Sequence, residues 1–165
     1  MCLQSINRGH GVKSFDEKFD SAFSLVAFTV NRHLVRHMQR MQTELEMDLE
    51  TTYLWGILAH LNYSIALGPA GSQVEVLGET GWARDEDARP VSANSLAQVA
   101  GIPRETVRRK LELLLSRGKV ERDELKRWKV VKAAIDQKTY DFTKQTVIEF
   151  LQTAEQMTKF LNNNT

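Results

Sequence analysis

The sequence predicts a mostly α-helical fold with one small β-hairpin, and three patterns in its 165 residues lead to this prediction. Apolar residues recur at intervals of three and four along two long stretches, one towards each end of the chain. In the second half, a glycine and a proline separate two short helical segments. Two short runs with strand-like composition then follow around a polar turn.

The composition excludes several classes of protein. Of the residues, 42% are hydrophobic and 26% are charged, which is typical of one compact globular domain. No apolar run approaches the ~20 residues that cross a bilayer, and the first residues lack the apolar core of a signal peptide. The single cysteine, Cys2, has no partner for a disulfide or a thiolate zinc site. We therefore expect a cytoplasmic protein without a metal, a cofactor or membrane contact.

Both ends of the chain are predicted to be helical. Residues 1–14 carry two glycines and few apolar residues, which indicates a mobile N-terminal arm. Residues 15–67 form a helical core and dimerisation segment, in which Asp48 caps the second of two helices. Residues 68–90 have no helical period and hold 5 acidic against 2 basic residues, so we expect a solvated acidic loop. A last long helix, also assigned to dimerisation, is predicted over residues 138–161.

Positive charge is concentrated in the segment from 91 to 132. This segment holds 11 Lys and Arg residues against 5 Asp and Glu residues, although the whole chain has a net charge of +1. A local excess of this size is typical of a surface that meets a polyanion. The segment is therefore the candidate for function.

The same segment has the pattern of two short helices joined by a tight turn. Ser92 suits the N-cap of the first helix, Gly101 supplies the positive φ that ends it, and Pro103 suits the first turn of the second. Apolar residues of both helices are predicted to point inward and close a small core. They are Leu96, Val99, Ala100, Ile102, Val107, Leu111 and Leu114. This arrangement is a helix-turn-helix.

The outward side of the second helix is polar and basic. In a helix-turn-helix, the second helix enters the major groove of DNA with its N-terminal residues at the base edges. We expect arginines here to pair with guanine. Glu105 is expected to accept from cytosine, to stabilise the helix dipole or to orient an arginine. The candidate residues of this recognition helix are Arg104, Glu105, Thr106, Arg108 and Arg109. The candidate phosphate ligands at the start of the first helix are Ser92, Asn94 and Ser95.

A hairpin is predicted after the second helix, with strands over residues 119–122 and 128–131. Its tip is polar, so Lys126 and Arg127 are expected to reach a neighbouring phosphate or the minor groove. Trp128 is expected to pack the hairpin onto the helices. A hairpin in this position is a wing.

Residues 91–131 resemble the winged helix-turn-helix of bacterial transcription regulators. The resemblance lies in the pattern LA..AGIPRETVRRKL..L...G.V.RD over residues 96–123, which MarR-like, Crp-like and IclR-like regulators share. Long helices on both sides of the pattern are similar to the MarR-like arrangement, in which terminal helices build a dimer. The acidic loop over residues 68–90 departs from that arrangement. The resemblance implies a sequence-specific, DNA-binding transcriptional regulator.

The long terminal helices carry apolar stripes that exceed what a short winged helix can cover. We expect a homodimer that presents two recognition helices to a palindromic operator with half-sites about 34 Å apart. The resemblance also implies a pocket for a small-molecule effector near the dimer helices, to which Tyr53, Trp55 and Tyr63 would belong; ordinary core packing is the alternative for these residues. The candidate dimerisation residues are Phe15, Phe19, Phe23, Val147, Leu151 and Met157.

Other functions have weaker support in the sequence. His33 and His37 are four residues apart, but no third ligand is clustered with them, so we expect no metal site. No phosphate loop, nucleophile elbow or zinc-protease helix is present, so we predict that the protein is not an enzyme. The alternative to a regulator is a winged-helix module that binds a protein or structured RNA without recognising an operator.

Overall fold

The computed structural model describes residues 13–67 and 84–163, and most of these are helical. Residues 1–12 of the predicted arm (1–14) and residues 68–83 of the predicted acidic loop (68–90) lie outside the described residues. Two short 3-10 turns, Asp85–Asp87 and Lys132–Ala134, complete the elements. The helices and strands in chain order are α1 (Phe15–Glu44), α2 (Leu49–Leu67), α3 (Ala93–Ala100), α4 (Arg104–Ser116), β1 (Val120–Arg122), β2 (Trp128–Val130) and α5 (Gln137–Asn163).

The mostly α-helical fold with one small antiparallel hairpin is therefore confirmed. In the hairpin, Val120 pairs with Val130 and Arg122 pairs with Trp128. Within the described ranges, no helix is long and apolar enough to cross a membrane.

The chain divides into two compact units, whereas its composition predicts one. The first unit contains the described residues up to His37 and those from Gln145 onward. The second unit runs from Met38 to Lys144. Both α1 and α5 contribute to both units, and each unit is described separately below.

In the first unit, α1 and α5 pair in opposite directions. Helix α1 begins with a capping box, in which the Glu17 amide donates to Ser14 Oγ at 3.2 Å and the Ser14 amide donates to Glu17 Oε2 at 2.8 Å. The buried residues between the helices include the small side chains of Ala22, Val26 and Thr29. Polar contacts continue along the same seam, and they join Arg32 to Gln156, His33 to Thr153 and Arg36 to Glu149.

Most of the large apolar side chains in this unit remain uncovered. Of the predicted dimerisation residues, Phe15, Phe23, Val147 and Leu151 are exposed, whereas Phe19 and Met157 are half-buried. Phe19 contacts the rings on either side of it, at centroid distances of 5.9 and 5.7 Å. The apolar side chains that are more than half exposed are Phe15, Phe23, Leu25, Phe28, Leu34, Val147, Phe150 and Leu151.

The second unit has a continuous apolar core formed by α2, α3, α4 and the hairpin. Its most buried members are Leu54, Leu58, Leu96, Val107, Leu111, Leu114 and Val120. Trp128 of β2 belongs to this core and is 3% exposed, as predicted. The inward position predicted for Val99 is wrong, because this side chain is 57% exposed. The buried face of α3 instead follows Leu96, Ala97 and Ala100, and Val99 falls on its flank.

Asn62 of α2 holds the hairpin in place. Its Nδ2 donates to the carbonyl oxygens of Arg89 and Trp128, at 2.8 and 3.3 Å. Its Oδ1 accepts from the Val130 amide at 2.9 Å. Val91 forms an isolated bridge to the hairpin by exchanging two backbone hydrogen bonds with Trp128. One fully buried amide therefore satisfies backbone groups of two chain segments, and the Asn62 backbone carbonyl also accepts from the Arg89 amide at 2.8 Å.

We expect Asn62→Ala to lower the free energy of unfolding by about 1–3 kcal/mol, because the Val130 amide and two carbonyls lose a buried partner. Urea unfolding followed by circular dichroism measures this change. Asn163→Ala, at the exposed end of α5, is the matched control and should change the value by less than about 0.5 kcal/mol. Equal losses in the two variants would contradict the role assigned to Asn62.

Candidate nucleic-acid interface

The turn between α3 and α4 is built as the sequence predicts. Ser92 caps α3, since its Oγ accepts from the Ser95 amide at 3.0 Å. Gly101 ends α3 with φ 66° and ψ 25°, in the left-handed region that glycine occupies without strain. Pro103 stands directly before α4, where its missing amide proton is not needed. The turn therefore fixes where the first residues of α4 lie.

Helix α4 separates an apolar face from a basic one. Val107, Leu111 and Leu114 are fully buried against the core. The opposite face carries the predicted recognition residues. Arg104, Glu105, Arg108 and Arg109 are exposed, and Thr106 is half-buried.

Most of the positive charge in this segment is paired with acidic residues nearby. Arg108 contacts Glu105 at 2.6 Å, and Arg122 of β1 contacts Glu112 of α4 at 3.4 Å. Because exposed ion pairs of this kind neutralise one another locally, the charge excess overstates the number of cations that can meet a polyanion. The other paired cations are Lys110 with Asp48 and Glu50, Lys119 with Asp136, Arg127 with Asp123, and Lys129 with Asp85 and Glu121.

Three of the predicted contact residues are cations without an acidic partner. Arg104 and Arg109 on α4 and Lys126 at the hairpin tip form no ion pair with any residue that the structure describes. All three are exposed. Within the described ranges, their side chains are therefore not held by an acidic partner.

The tip of the hairpin is a closed turn. The Lys126 amide donates to the Asp123 carbonyl at 2.9 Å, and Asp123 also accepts from the backbone and the guanidinium of Arg127 at 2.8 Å. Lys126 has φ 60°, which places a non-glycine residue in the left-handed region. Leu125, beside it, is 72% exposed. The turn thus projects Lys126, whereas it ties Arg127 back to the strand end.

The predicted phosphate ligands at the start of α3 differ from one another. The hydroxyls of Ser92 and Ser95 lie 2.9 Å apart, and Ser92 also serves as the cap. Asn94 is exposed and makes no side-chain hydrogen bond within the described part of the chain. Asn94 is therefore the one of these three side chains that is not already used within α3.

An ion pair that the sequence did not suggest anchors α4. Lys110 is only 13% exposed, and its Nζ lies 2.6 Å from Asp48 Oδ1 and 3.5 Å from Glu50 Oε2. Asp48 also caps α2, because it accepts from the Thr51 amide and hydroxyl at 3.0 and 2.6 Å. Arg117, after the end of α4, donates to the Glu46 carbonyl at 2.9 Å. The middle of α4 and the residue that follows its end are thus tied to the chain around the start of α2.

Two carboxylates at this interface are held in their charged form. Partial burial raises the pKa of Asp48, but the hydrogen bonds from Lys110 and Thr51 outweigh it and hold the pKa well below its usual range. The hydrogen bond from the Arg108 guanidinium lowers the pKa of Glu105, and the charges of Arg104 and Arg109 act in the same direction. Both residues are therefore acceptors, with no proton to donate, at neutral pH.

An apolar cavity of about 480 Å³ lies in the second unit beside α2. Tyr53 and Trp55 line it, whereas Tyr63 does not. Val99, the residue that the sequence placed in the core, also faces this cavity. Trp55 Nε1 is buried and has no hydrogen-bond partner among the described residues. The cavity lining also includes Met41, Leu45, Ile57, His60, Thr139 and Phe142.

The two histidines of α1 form no metal site with other residues that the structure describes. Their rings are parallel, at a centroid distance of 6.3 Å. His33 Nδ1 lies 3.2 Å from Thr153 Oγ1, so this ring nitrogen already has a hydrogen-bond partner. Within residues 13–67 and 84–163, no group of three His, Cys, Asp or Glu side chains is placed to hold a metal ion.

Comparison of the chain with protein-family models, with curated proteins and with solved structures finds no match.

We expect Asp48→Asn to destabilise the protein at neutral pH, because the amide can still cap α2 but no longer neutralises Lys110. The native pKa of Asp48 lies below that of the unfolded chain, near 3.9. The stabilisation is therefore present above about pH 4 and is lost as the pH falls further. Urea unfolding at pH 7, 5 and 3 measures the free energy of unfolding of the variant and of wild type. The difference between the two free energies should be smaller at pH 3 than at pH 7.

Asp20→Asn, on the exposed surface of α1, is the control for a general charge effect and should leave stability nearly unchanged. A difference between Asp48→Asn and wild type that stays constant from pH 7 to pH 3 would contradict this account.

Proposed function

We propose that the protein is a sequence-specific, duplex-DNA-binding transcriptional regulator that acts as a homodimer. Helices α3 and α4 and the hairpin would form a winged helix-turn-helix in the MarR-like arrangement. The observation that carries this proposal is the set of unpaired cations, in which Arg104 and Arg109 lie on the exposed face of α4 and Lys126 lies at the hairpin tip. These residues stand on elements that a fully buried core holds in place.

The unpaired cations lie on two elements, and these elements suit the two kinds of DNA contact, which are contacts to bases and contacts to phosphates. The first turns of α4 would enter the major groove, where an arginine with free donors pairs with guanine O6 and N7. Lys126 would contact phosphate, since a single ammonium group offers charge without base selectivity. Local neutralisation of the other cations favours this mechanism, because it limits the sequence-independent attraction to any polyanion.

The homodimer is supported by the apolar surface of the first unit. Its two helices bury small residues between them and leave large side chains such as Phe23, Phe28, Phe150 and Leu151 exposed. Apolar exposure on this scale is typical of a surface that another chain covers. A second copy is the occupant we propose, since an isologous interface would pair each stripe with its own equivalent. A symmetric dimer would recognise a palindromic operator.

An effector is the third part of the proposal. The cavity beside α2 has the volume of a small-molecule site and is almost wholly apolar. It includes Val99 of α3, so a bound molecule would contact the helix that precedes the recognition helix.

The test is selection of bound sequences from random duplex DNA, followed by affinity measurements on two variants. We expect Arg109→Ala to cost about 1–3 kcal/mol on the selected duplex and to relax the preference at one base pair in each half-site. Lys126→Ala should weaken binding to selected and random duplexes alike and flatten the salt dependence by about one unit.

Recovery of no preferred sequence would contradict the proposal. Tight binding to structured RNA, or to a protein, in place of duplex DNA would support the alternative of a winged-helix interaction module. If Arg109→Ala lost equal affinity for selected and random duplexes, Arg109 would contact phosphate and not a base.

A further inference from the structure

The arginines on α4 are not equivalent, because Glu105 contacts only one of them. We propose that Glu105 is a positioning residue that holds Arg108 in the orientation in which it reads a guanine. This inference rests on the proposed function and assigns separate roles to residues of the same site. It replaces the alternative in which Glu105 itself reads a cytosine.

The geometry of the pair is that of a two-point contact. Arg108 Nη2 donates to Glu105 Oε1 at 2.6 Å, and Arg108 Nε donates to Glu105 Oε2 at 3.1 Å. Two points of contact fix the plane of the guanidinium as well as its position. A single contact would leave the group free to rotate.

The contact leaves the outer edge of the guanidinium available. An arginine has five N–H donors, and Glu105 takes one from Nε and one from Nη2. Both N–H groups of Nη1 and the second N–H group of Nη2 remain. These face away from the carboxylate, and the Arg108 side chain is 60% exposed. The free edge therefore carries two parallel donors, which is what guanine O6 and N7 require.

The same contact makes Glu105 a poor reader of cytosine. Both of its carboxylate oxygens already accept from Arg108, so an amino group from a base would have to compete with a charge-assisted pair. The flanking cations do not share this restraint. Arg104 and Arg109 make no ion pair within residues 13–67 and 84–163, so their side chains retain the freedom to follow phosphate or a base.

Restraint of Arg108 before binding also favours selectivity over general affinity. A side chain that is already ordered loses less rotamer entropy when it meets its base. Because the charge of Glu105 offsets that of Arg108, the pair adds little attraction to phosphate on unrelated sequences. Removal of the Glu105 carboxylate should therefore weaken binding to the selected duplex and strengthen binding to unrelated duplexes.

The experiment compares Glu105→Gln, Arg108→Ala and the double variant on the selected duplex and on duplexes that change one base pair at a time. Glu105→Gln and Arg108→Ala should each lose about tenfold discrimination at the same G·C pair of each half-site. The double variant should lose no more than Arg108→Ala alone. Glu105→Gln should also bind random duplex more tightly than wild type does.

The matched control is Glu112→Gln, which removes from the same helix a carboxylate that pairs with Arg122. It should leave every base preference unchanged. Arg108→Lys keeps the charge but cannot make the two-point contact, so it should lose the same preference as Arg108→Ala. Thermal unfolding of each variant should give the wild-type midpoint temperature, because an exposed ion pair contributes little to stability.

Three results would overturn the inference. Discrimination lost at different base pairs in Glu105→Gln and Arg108→Ala would show that Glu105 reads a base itself. Unchanged discrimination between base pairs in both variants would show that Glu105 and Arg108 form a surface ion pair with no part in base recognition. A wild-type protein that selects no sequence would overturn the proposed function as well, which distinguishes that failure from the first two.

Discussion

The second unit depends on the buried amide of Asn62. Helix α2 passes behind the hairpin and the segment at Arg89, and both present backbone groups to Asn62. A buried backbone donor without a partner costs about 1–3 kcal/mol, so these elements need an acceptor and a donor at this point. Asn62 supplies both from one side chain. With the hairpin held there, Trp128 fills the core against the helices, and the position of Lys126 at the tip is determined.

The same principle of local restraint extends to the charged residues. Lys110 joins α4 to the cap of α2, Arg127 is tied to Asp123, and Lys129 lies between Asp85 and Glu121. An acidic partner offsets the positive charge that a polyanion would meet, and it also orders the cationic side chain. The segment is therefore less basic than its composition suggests. Among the predicted contact residues, the cations without an acidic partner in the described ranges are Arg104 and Arg109 on α4 and Lys126 at the hairpin tip. This distribution favours selective contact over general attraction.

Local rules explain which parts of this architecture were predictable. The cap at Ser92, the left-handed Gly101 and the periodic apolar face of α4 depend on neighbouring residues, and the structure confirms them. Val99 was placed wrongly because its spacing from Leu96 fits a helical stripe, whereas the buried face of α3 is centred on Ala97 and Ala100. Contacts between distant positions were not visible. Asp48 and Lys110 are 62 positions apart, and Asn62 and Val130 are 68 apart, so no local pattern pairs them. The choice of Arg108 over Arg109 by Glu105 is a matter of side-chain geometry, and the order of residues alone left it open.

The stoichiometry of the complex with a selected duplex tests the central claim most directly. A homodimeric regulator binds a palindromic site as two chains, with one recognition helix in each half-site. Light scattering at micromolar concentration should give two chains in the free protein and two chains per duplex, and a duplex with one half-site scrambled should bind more weakly. A single chain in solution that binds one half-site with undiminished affinity would contradict the account.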